Sequence, residues 1–427
     1  MAGLSKMGIW LVATGVAIGT PANAAQVIWQ QTYHDSGHTS DNPHESILTT
    51  ANVPNLQVAW GQDVTCGVLN FALDESTIYA QGQGSDCNTP DLEAIDAATG
   101  AKKWTVTAGG DGLYLQGTIA EGNGLVFAGC GFKDTGSINY GAVCAYRKIN
   151  GKLAWQFSNP CNCQPESGVV APLVYSNSVV YFGYGNGGGT CGGDTNYLVA
   201  ADAKTGAVLW TYVTGGCGSL DGAAPAVADG HVYFEANDNL VALSQTDGSF
   251  LWSVPFGGGS IEMGLTARNG AVYDNVDNNG AEQIAAFDGA TGTPRWTFNI
   301  GNFNPGSGTA PGALANGLLY VTGIDHQIYA LHASSGKLKW SGAAASSSAA
   351  VANGVLYVDG GPGGGGSGTG ATAYAASNGA NLWESGSDRT TIFPPPIVAN
   401  GVLYVANGGS SCSNMCAYAL PAGVVQR

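Results

Sequence analysis

The sequence lacks the features of several large protein classes. Only 10% of its 427 residues are charged, and 14 Lys and Arg stand against 30 Asp and Glu. This balance opposes binding to nucleic acid or anionic lipid, because both need clustered Lys or Arg. No Cys-x-x-Cys-His is present, which excludes covalently attached c-type haem. Neither Gly-x-Ser-x-Gly nor His-Glu-x-x-His occurs, so hydrolase and zinc-protease functions have no support.

The chain also lacks a hydrophobic run of the roughly 20 residues that a membrane-spanning helix needs. Its start has the composition of a signal peptide instead: Lys6, a mostly apolar stretch over 7–18, and the small-x-small site Ala22-Asn23-Ala24. No Cys follows that site, so we expect no lipid anchor there. We therefore predict a signal peptide over 1–24 and a periplasmic or secreted protein without a membrane span.

Tryptophan recurs at a nearly constant interval. Eight Trp lie 42 to 55 residues apart, at positions 60, 104, 155, 210, 252, 296, 340 and 383. Seven of them follow a Gly by four positions, as Trp104 follows Gly100, and Asp-x-x-Thr precedes several of these Gly. Asp folds back on the backbone in such turns, and Gly adopts the left-handed conformation that ends them. A period of this length predicts repeated units, and 67 Gly favour tight turns and extended chain over helices.

Each unit between two Trp is typical of four short strands joined by Asn-Gly or Asp-Gly turns. The last unit, from about Thr390 to Leu420, has only three strands, and the missing fourth is found over Leu56–Trp60. Pairing of the two ends would leave no open sheet edge. We predict an all-β, eight-bladed β-propeller of four-stranded antiparallel blades, closed by an N-terminal strand that completes the last blade. A signal peptide (1–24) and an N-terminal segment (25–55) would precede this single domain (56–427).

The repeat Ala-x-Asp-Ala-x-Thr-Gly-x-x-x-Trp, seen over Ala94–Trp104, resembles the repeat of quinoproteins, which bind pyrroloquinoline quinone (PQQ). The opening from Trp29 to Trp60, with Asp35, His38-Thr39, Asn42-Pro43, Glu45 and Asn52-Val53, resembles the start of such proteins. The family includes PQQ-dependent alcohol and polyvinyl alcohol dehydrogenases and the non-catalytic outer-membrane assembly lipoprotein BamB. The resemblance covers nearly the whole mature chain and implies the fold more firmly than the activity, because one fold hosts many functions.

Ten Cys fit an oxidising compartment, in which disulfides persist. All ten fall in connections on one face of the predicted ring, in blades 8 and 1 to 4. We expect the pairs Cys66–Cys87, Cys130–Cys144 and Cys412–Cys416, with two further bridges shared among Cys161, Cys163, Cys191 and Cys217. The bridges either staple long Gly-rich loops, at roughly 2–4 kcal/mol each, or hold one sector of the face rigid for a ligand.

The same face carries acidic residues where the chain leads into first strands. In quinoprotein dehydrogenases a Glu and an Asn hold Ca²⁺ beside PQQ, and an Asp removes the substrate proton. The resemblance therefore implies Glu166 as a metal ligand, Asp221 as a ligand in place of Asn, and Glu262 as the base. Oxygen ligands of this kind suit Ca²⁺. Residues that would contact PQQ are Gln116, Arg268 and Arg389, and Trp29 is the one Trp of the mature chain outside the repeat.

Two further patterns favour simpler interpretations. His34, His38 and His44 cluster near the start and offer metal ligands, but they fall inside the family's opening segment, where packing or capping is the more common role. Asn275-x-Asp277-x-Asn279-Gly280 imitates a calcium loop, although position one is not Asp and no Glu closes it at Ala286.

The glycine runs 187–193 and 360–370 lack the Lys-Ser/Thr of a phosphate loop.

Two classes of function therefore stay open. The first is a PQQ- and Ca²⁺-dependent oxidoreductase that acts on a small or polymeric alcohol at the channel mouth. The second is a non-catalytic binding or scaffold propeller that holds an envelope protein or a glycan, in the manner of BamB but without a lipid anchor. Catalysis is marginally favoured, and PQQ-dependent oxidation is its nameable chemistry.

Overall fold

The computed structural model describes residues 28–64, 68–82, 92–106, 118–133, 139–157, 168–170, 173–186, 197–214, 224–237, 239–255, 265–278, 281–302, 312–323, 325–344, 349–358, 370–386, 395–406 and 414–422. These residues form β-strands and turns, with a single 3-10 turn, η1 (Val53–Asn55). Within them, no helix has the length and apolarity that a membrane span requires.

Two strands precede the first complete blade, and the first four blades follow in chain order. The early strands are β1 (Asp41–Asn42) and β2 (Gln57–Gln62). Blade 1 holds β3 (Val68–Leu73), β4 (Thr77–Gly82), β5 (Leu92–Asp96) and β6 (Lys102–Val106). Blade 2 holds β7 (Ala120–Gly122), β8 (Leu125–Lys133), β9 (Asn139–Arg147) and β10 (Leu153–Phe157), and β11 (Gly168–Val170) follows it. Blade 3 holds β12 (Val174–Ser176), β13 (Val179–Asn186), β14 (Tyr197–Asp202) and β15 (Val208–Val213). Blade 4 holds β16 (Ala226–Ala228), β17 (His231–Ala236), β18 (Asn239–Ser244) and β19 (Phe250–Pro255).

The last four blades repeat the arrangement. Blade 5 holds β20 (Thr266–Arg268), β21 (Ala271–Asn278), β22 (Ala281–Asp288) and β23 (Pro294–Asn302). Blade 6 holds β24 (Ala313–Ala315), β25 (Leu318–Thr322), β26 (Gln327–His332) and β27 (Leu338–Ala344). Blade 7 holds β28 (Ala350–Ala352), β29 (Val355–Val358), β30 (Thr372–Ala375) and β31 (Asn381–Glu384). Blade 8 holds β32 (Ile397–Ala399), β33 (Val402–Ala406), β34 (Met415–Ala419) and, as its outer strand, β2.

The ring closes by pairing of an N-terminal strand with the last strand of the chain, as the sequence predicts. β2 pairs in antiparallel register with β34, so that Trp60 lies opposite Ala417. Every blade therefore has four antiparallel strands, which confirms the predicted fold class and its closure. Two additions were not predicted: β11 bridges β9 and β13, which merges blades 2 and 3 into one sheet, and β1 pairs in parallel with β28.

Each repeated Trp locks its blade to the next one. The indole of Trp252 in blade 4 donates to the carbonyl oxygen of Gly289 in blade 5 at 3.0 Å. A Cβ on Gly292, in the same turn, would lie 2.6 Å from the Trp252 ring. The other seven Trp donate in the same way to Ala97, Lys148, Ala203, Gln245, Ala333, Ala376 and Leu56. The repeated Gly is thus both a turn residue and the residue against which the indole of the preceding blade packs.

The hydrophobic core lies between neighbouring blades rather than in one central mass. Seven clusters of buried side chains each join two adjacent sheets, except that the largest joins blades 7, 8 and 1. N-terminal residues Trp29, Leu48 and Val53 belong to this largest cluster. Side chains alternate across each strand, and both faces of a blade are covered by its neighbours near the channel, so inner strands such as β33 are continuously buried whereas outer strands such as β6 are largely exposed.

Candidate functional site: the central channel

The first strands of the eight blades surround the central channel, which has two different ends. One end carries the turns between first and second strands and between third and fourth strands, and we call it the turn face. The other end carries the connections between second and third strands and those between blades, and we call it the loop face. By their place in the sequence, the predicted acids and most of the cysteines are assigned to connections of the loop face, and this assignment stays a prediction.

Residues 29–42, which we call the channel segment, run round the inner wall of the channel. Its backbone contacts first strands in chain order: Trp29 pairs with Leu73 of blade 1 and Thr32 with Ile119 of blade 2. The next contacts are from the amides of Val227, Ala267, Leu314 and Val351, which donate to Ser36, Gly37, Thr39 and Ser40. Side chains supply the contacts with the two remaining blades. Gln31 hydrogen-bonds the Tyr175 backbone in blade 3, and Asn42 donates to Val398 in blade 8.

The channel segment is packed tightly against this wall. A Cβ on Gly37 would lie 2.2 Å from the carbonyl oxygen of Ala267, so only Gly fits there. The chain then leaves on the turn face, where the buried Glu45 accepts from the Gly401 amide at 2.9 Å. One 14-residue segment therefore contacts all eight blades and lines the channel wall.

His38 lies within this segment and is 0% exposed. Its Nδ1 lies 3.0 Å from the carbonyl oxygen of Leu265, which can only accept, so Nδ1 carries the proton and Nε2 is a bare acceptor. Burial lowers the pKa of His38 to about 4, against weaker raising effects of the Leu265 hydrogen bond and of Asp35. The ring is therefore neutral at neutral pH.

Charged side chains also lie along the segment. Asp35 accepts from the amides of Gly37 and Thr39 and from the Thr39 hydroxyl. Burial raises the pKa of Asp35, but the neighbouring His34 and the hydrogen bonds from Thr39 outweigh burial and lower it. Asp41 forms an ion pair with Arg268 at 2.9 Å, while burial raises the Asp41 pKa. The structure thus finds Arg268 at the turn end of β20, held by the channel segment, and its role toward a cofactor stays a prediction.

Most of the predicted site lies outside the described residues. This applies to Gln116, Glu166, Asp221, Glu262 and Arg389, and to all of the cysteines except Cys130, Cys144 and Cys416. The described strands nevertheless limit where the loops begin and end. Asp221 and Glu262 lie shortly before β16 and β20, which are neighbouring first strands, and Glu166 lies two residues before β11. Convergence of the three acids stays a prediction.

The described cysteines agree with the expected compartment. Cys130 and Cys144 form a disulfide with Cα atoms 5.7 Å apart, which confirms one predicted pair. Both lie within β8 and β9, not in the connection between them, so the bridge crosses two strands of blade 2. Cys416 is also disulfide-bonded, and none of the cysteines that the structure describes is free.

Two weaker metal hypotheses gain no support from the described residues. Residues 275–278 belong to β21, which pairs with β22, and the buried Asn275 amide donates to Glu282. The described part of this stretch is therefore extended strand. His34 contacts the edge of Trp29 and His38 binds Leu265, and no set of three His, Cys, Asp or Glu within the described ranges is placed to hold a metal ion.

Sequence reasoning missed a buried acidic pair between blades 4 and 5. Asp274 on β21 is 4% exposed and hydrogen-bonds with Glu235 on β17, and burial raises its pKa well above that of an ordinary aspartate. Two carboxyl groups in such contact share a proton, because like charges cannot both ionise there. The sequence does contain a signal for this pair, because an acidic residue follows the second-strand Tyr in both blades. Glu235 lies two positions after Tyr233, and Asp274 directly follows Tyr273.

The residues implied for PQQ and Ca²⁺ are compatible with these groups only in part. The described residues supply no Ca²⁺ ligand set, and the expected ligands Glu166 and Asp221 belong to connections outside them. Trp29 is 0% exposed and is wedged into the core beside His34, so its ring face is not free to stack on a quinone. A cofactor in this channel would therefore rest on loop-face residues and not on Trp29.

Comparison with known proteins identifies relatives of several activities. The chain is 27% identical over 332 residues to lupanine 17-hydroxylase [cytochrome c] of a Pseudomonas species, covering 69% of this chain and 44% of the relative. It is 23% identical over 332 residues to tetrathionate hydrolase of Acidithiobacillus ferrooxidans, covering 66% and 57%. The chain thus spans about half the length of these curated relatives.

Among solved structures, a quinohemoprotein alcohol dehydrogenase of Pseudomonas putida HK5 superposes with a TM-score of 0.65 at 14% identity, covering 97% of this chain and 84% of that one. At this identity the likeness shows the fold alone. The profile of the PQQ_2 family, described as outer membrane protein assembly factor BamB, matches residues 22–191, 190–276 and 280–411. These matches extend over nearly the whole chain, and the protein belongs to this family of PQQ-repeat propellers.

Proposed function

We propose that this protein is an exported quinoprotein-like enzyme that binds PQQ and Ca²⁺ at the loop-face mouth of its channel and oxidises an alcohol there. One observation carries the proposal: a single channel segment fastens the first strands of all eight blades into one wall. The chain leaves this wall on the turn face, at Glu45. The loop face, to which the acidic connections and most cysteines are assigned by their place in the sequence, is therefore the proposed entry for a ligand, because ligands bind in concave sites backed by a rigid scaffold.

The proposed roles follow the family resemblance residue by residue. Glu166 and Asp221 hold the cation, Glu262 takes the proton of the substrate hydroxyl, and Gln116 and Arg389 contact the quinone. When bound, the cation polarises a quinone carbonyl and the quinone accepts the electrons of the alcohol. Arg268 contributes indirectly, because its ion pair with Asp41 fastens the channel segment to β20.

The disulfides support a rigid rim in this proposal. Cys130–Cys144 already ties β8 to β9 in blade 2, one of the blades beneath the proposed site. A binding site needs side chains held within a fraction of an ångström, which cross-strand bridges promote. The name of the lupanine relative, a hydroxylase that is paired with cytochrome c, supports oxidation of an organic substrate by this type of propeller.

The proposal is tested by titrating PQQ into the purified mature protein with and without Ca²⁺. We expect one PQQ per chain, bound only with Ca²⁺, followed by alcohol-dependent reduction of a dye. Glu166→Gln should weaken cofactor binding by about tenfold or more, since it removes a metal ligand. Glu384→Gln is the matched control, because Glu384 is exposed on the outer strand β31 and its side chain accepts from Asn381.

A second function is favoured by a specific surface feature. The outer strands of blades 2 to 4 expose large apolar side chains at the two positions before their Trp: Leu153, Val208, Leu209, Phe250 and Leu251. At the same positions blade 1 has Lys102 and Lys103, and blade 5 has Pro294 and Arg295. Charges and Pro protect outer strands from pairing, and contiguous apolar surface marks contacts with other molecules.

This alternative is a scaffold propeller that holds an envelope protein or a glycan through blades 2 to 4. It predicts no PQQ binding at micromolar cofactor with Ca²⁺ present and no dye reduction, which would rule out the dehydrogenase. Under the oxidoreductase proposal, Leu209→Lys leaves PQQ binding unchanged, because Leu209 faces outward on β15.

A further inference from the structure

The channel segment is held by many contacts and is also internally unfavourable. Four of its residues that are not Gly have left-handed backbone conformations: Tyr33, His34, His38 and Ser40, with φ between 47° and 77°. L-residues with side chains adopt this region at an energetic cost, and such strain is commonly concentrated at sites that switch or bind. The fastening to the first strands therefore holds the segment in a shape that it would not keep by itself.

Buried polar atoms add to this unfavourable balance. Trp29 Nε1, His34 Nδ1, His38 Nε2 and Ser40 Oγ are buried and have no hydrogen-bond partner among the described residues. Buried polar side-chain atoms are nearly always paired in native proteins, so four unpaired ones in one short segment are exceptional. Release of the segment would expose all four atoms to water, which would satisfy them.

Protonation of His38 would shift the equilibrium from the bound segment toward the released segment. Protonation gives Nε2 a hydrogen that needs an acceptor, while the Leu265 carbonyl is already taken by Nδ1. The nearby Asp35 accepts from the Gly37 and Thr39 amides and the Thr39 hydroxyl, and its second oxygen lies 3.7 Å from His34 Nδ1. Within the described residues, no acceptor lies in hydrogen-bond reach of His38 Nε2. A protonated His38 would thus be a buried cation without a hydrogen-bond acceptor, which is strongly disfavoured.

Other titratable groups around the ring do not offer compensation. On its own segment the Tyr33 ring lies 5.3 Å from the imidazole, and burial raises the Tyr33 pKa to about 12, so it stays neutral. Asp41 is engaged by Arg268, the charged residue of β20. The flanking first strands β16 and β24 consist of Ala, Val and Leu only.

We propose that the channel segment is a pH-sensitive clamp on the first strands of the propeller, and that protonation of His38 releases it. The sign follows from linkage: the released ring takes up a proton near pH 6.5, while the buried ring takes it up near pH 4. Acidification across this window therefore favours the released state. Release frees the inner wall of the channel from the segment that covers it at neutral pH.

The test is hydrogen exchange on the full mature chain at pH 7.5 and pH 4.5, corrected for intrinsic exchange rates. The reporters are the amides of Val227, Ala267, Leu314 and Val351, which donate to the segment. Their opening equilibrium should rise on the order of 50-fold at pH 4.5, as the two proton affinities of His38 require. Amides that join β14 to β15 should keep their protection.

His38→Asn separates the trigger from general acid effects. Asn tolerates a left-handed backbone and its amide can donate to Leu265, but it does not ionise in this range. The variant should lose the acid response, whereas His231→Asn, at an exposed position on β17, should keep it. An equal response in His38→Asn, no response in the natural protein, or simultaneous loss in β14–β15 would each overturn the proposal.

A second measurement does not depend on the folding of a variant. The ring protons of His38, followed by NMR with labelled histidine, should titrate near pH 4, together with the loss of amide protection. Titration of His38 near pH 6.5 without any change in the channel amides would refute the mechanism.

Discussion

At the scale of single residues, Asp274 and His38 are two buried titratable groups whose pH dependences have opposite signs. Burial raises the pKa of Asp274, so above about pH 4 the folded state holds a proton that the unfolded state has released. The free energy of unfolding therefore falls as pH rises toward the raised pKa. For His38 the folded state resists protonation, and the free energy of unfolding falls as pH drops below about 6.5.

Asp274→Asn should remove the first dependence. The amide keeps the shape of the carboxyl group and can donate to Glu235 without losing a proton. We expect the variant to be more stable than the natural protein by about 2 kcal/mol at pH 8, with a smaller difference at pH 5. Urea unfolding at both pH values measures this. Asp63→Asn, at an exposed position, is the control, and an equal gain there would contradict a role of the buried pair.

Much of the site chemistry at this scale was beyond sequence reasoning. The sequence places Glu235 and Asp274 in second strands, but their contact depends on which face of each strand turns toward the next blade. His34, His38 and His44 are close in sequence, yet the left-handed turns at His34 and His38 direct their rings to different partners. Only the structure fixes such directions.

At the scale of strands and turns, the packing of the repeated Gly against an indole can be tested separately from its left-handed backbone conformation. Gly292 and Gly270 both belong to blade 5 and have φ near 70°, but only Gly292 faces an indole. A Cβ on Gly292 would lie 2.6 Å from Trp252, whereas a Cβ on Gly270 meets nothing within 4 Å.

Gly270→Ala should therefore cost about 1–2 kcal/mol of stability, from backbone strain alone. Gly292→Ala should cost about 1–3 kcal/mol more, because the methyl group displaces Trp252. Thermal and urea unfolding of both variants gives the comparison. Equal losses would mean that the indole does not hold the two blades together.

The regular elements were predictable because each repeat encodes its own signals. Trp, Gly and the Asn-Gly turns recur in step, and the missing strand of blade 8 was recognisable over Leu56–Trp60. The channel segment and β11 were not foreseen as parts of the propeller. The channel segment contacts strands far away in sequence, β11 links the two blades on either side of it, and neither has a repeating pattern of apolar residues.

At the scale of the whole molecule, two N-terminal elements stabilise the ring of blades. β2 completes blade 8 from outside, and the channel segment fastens the first strands from inside. The eight indole contacts join each blade to the next. Together these contacts hold the eight first strands as one wall around the channel, and the loop face of that wall carries the proposed site.

The account as a whole depends on a ligand site at the loop side of the channel segment. The most direct test is a crystal structure of the mature protein grown with PQQ and Ca²⁺. We predict PQQ inside the channel on the loop side of His38, with the cation between Glu166 and Asp221 and with Glu262 at the exposed edge of the quinone. An empty channel at saturating cofactor, or PQQ bound on the turn face, would contradict the account.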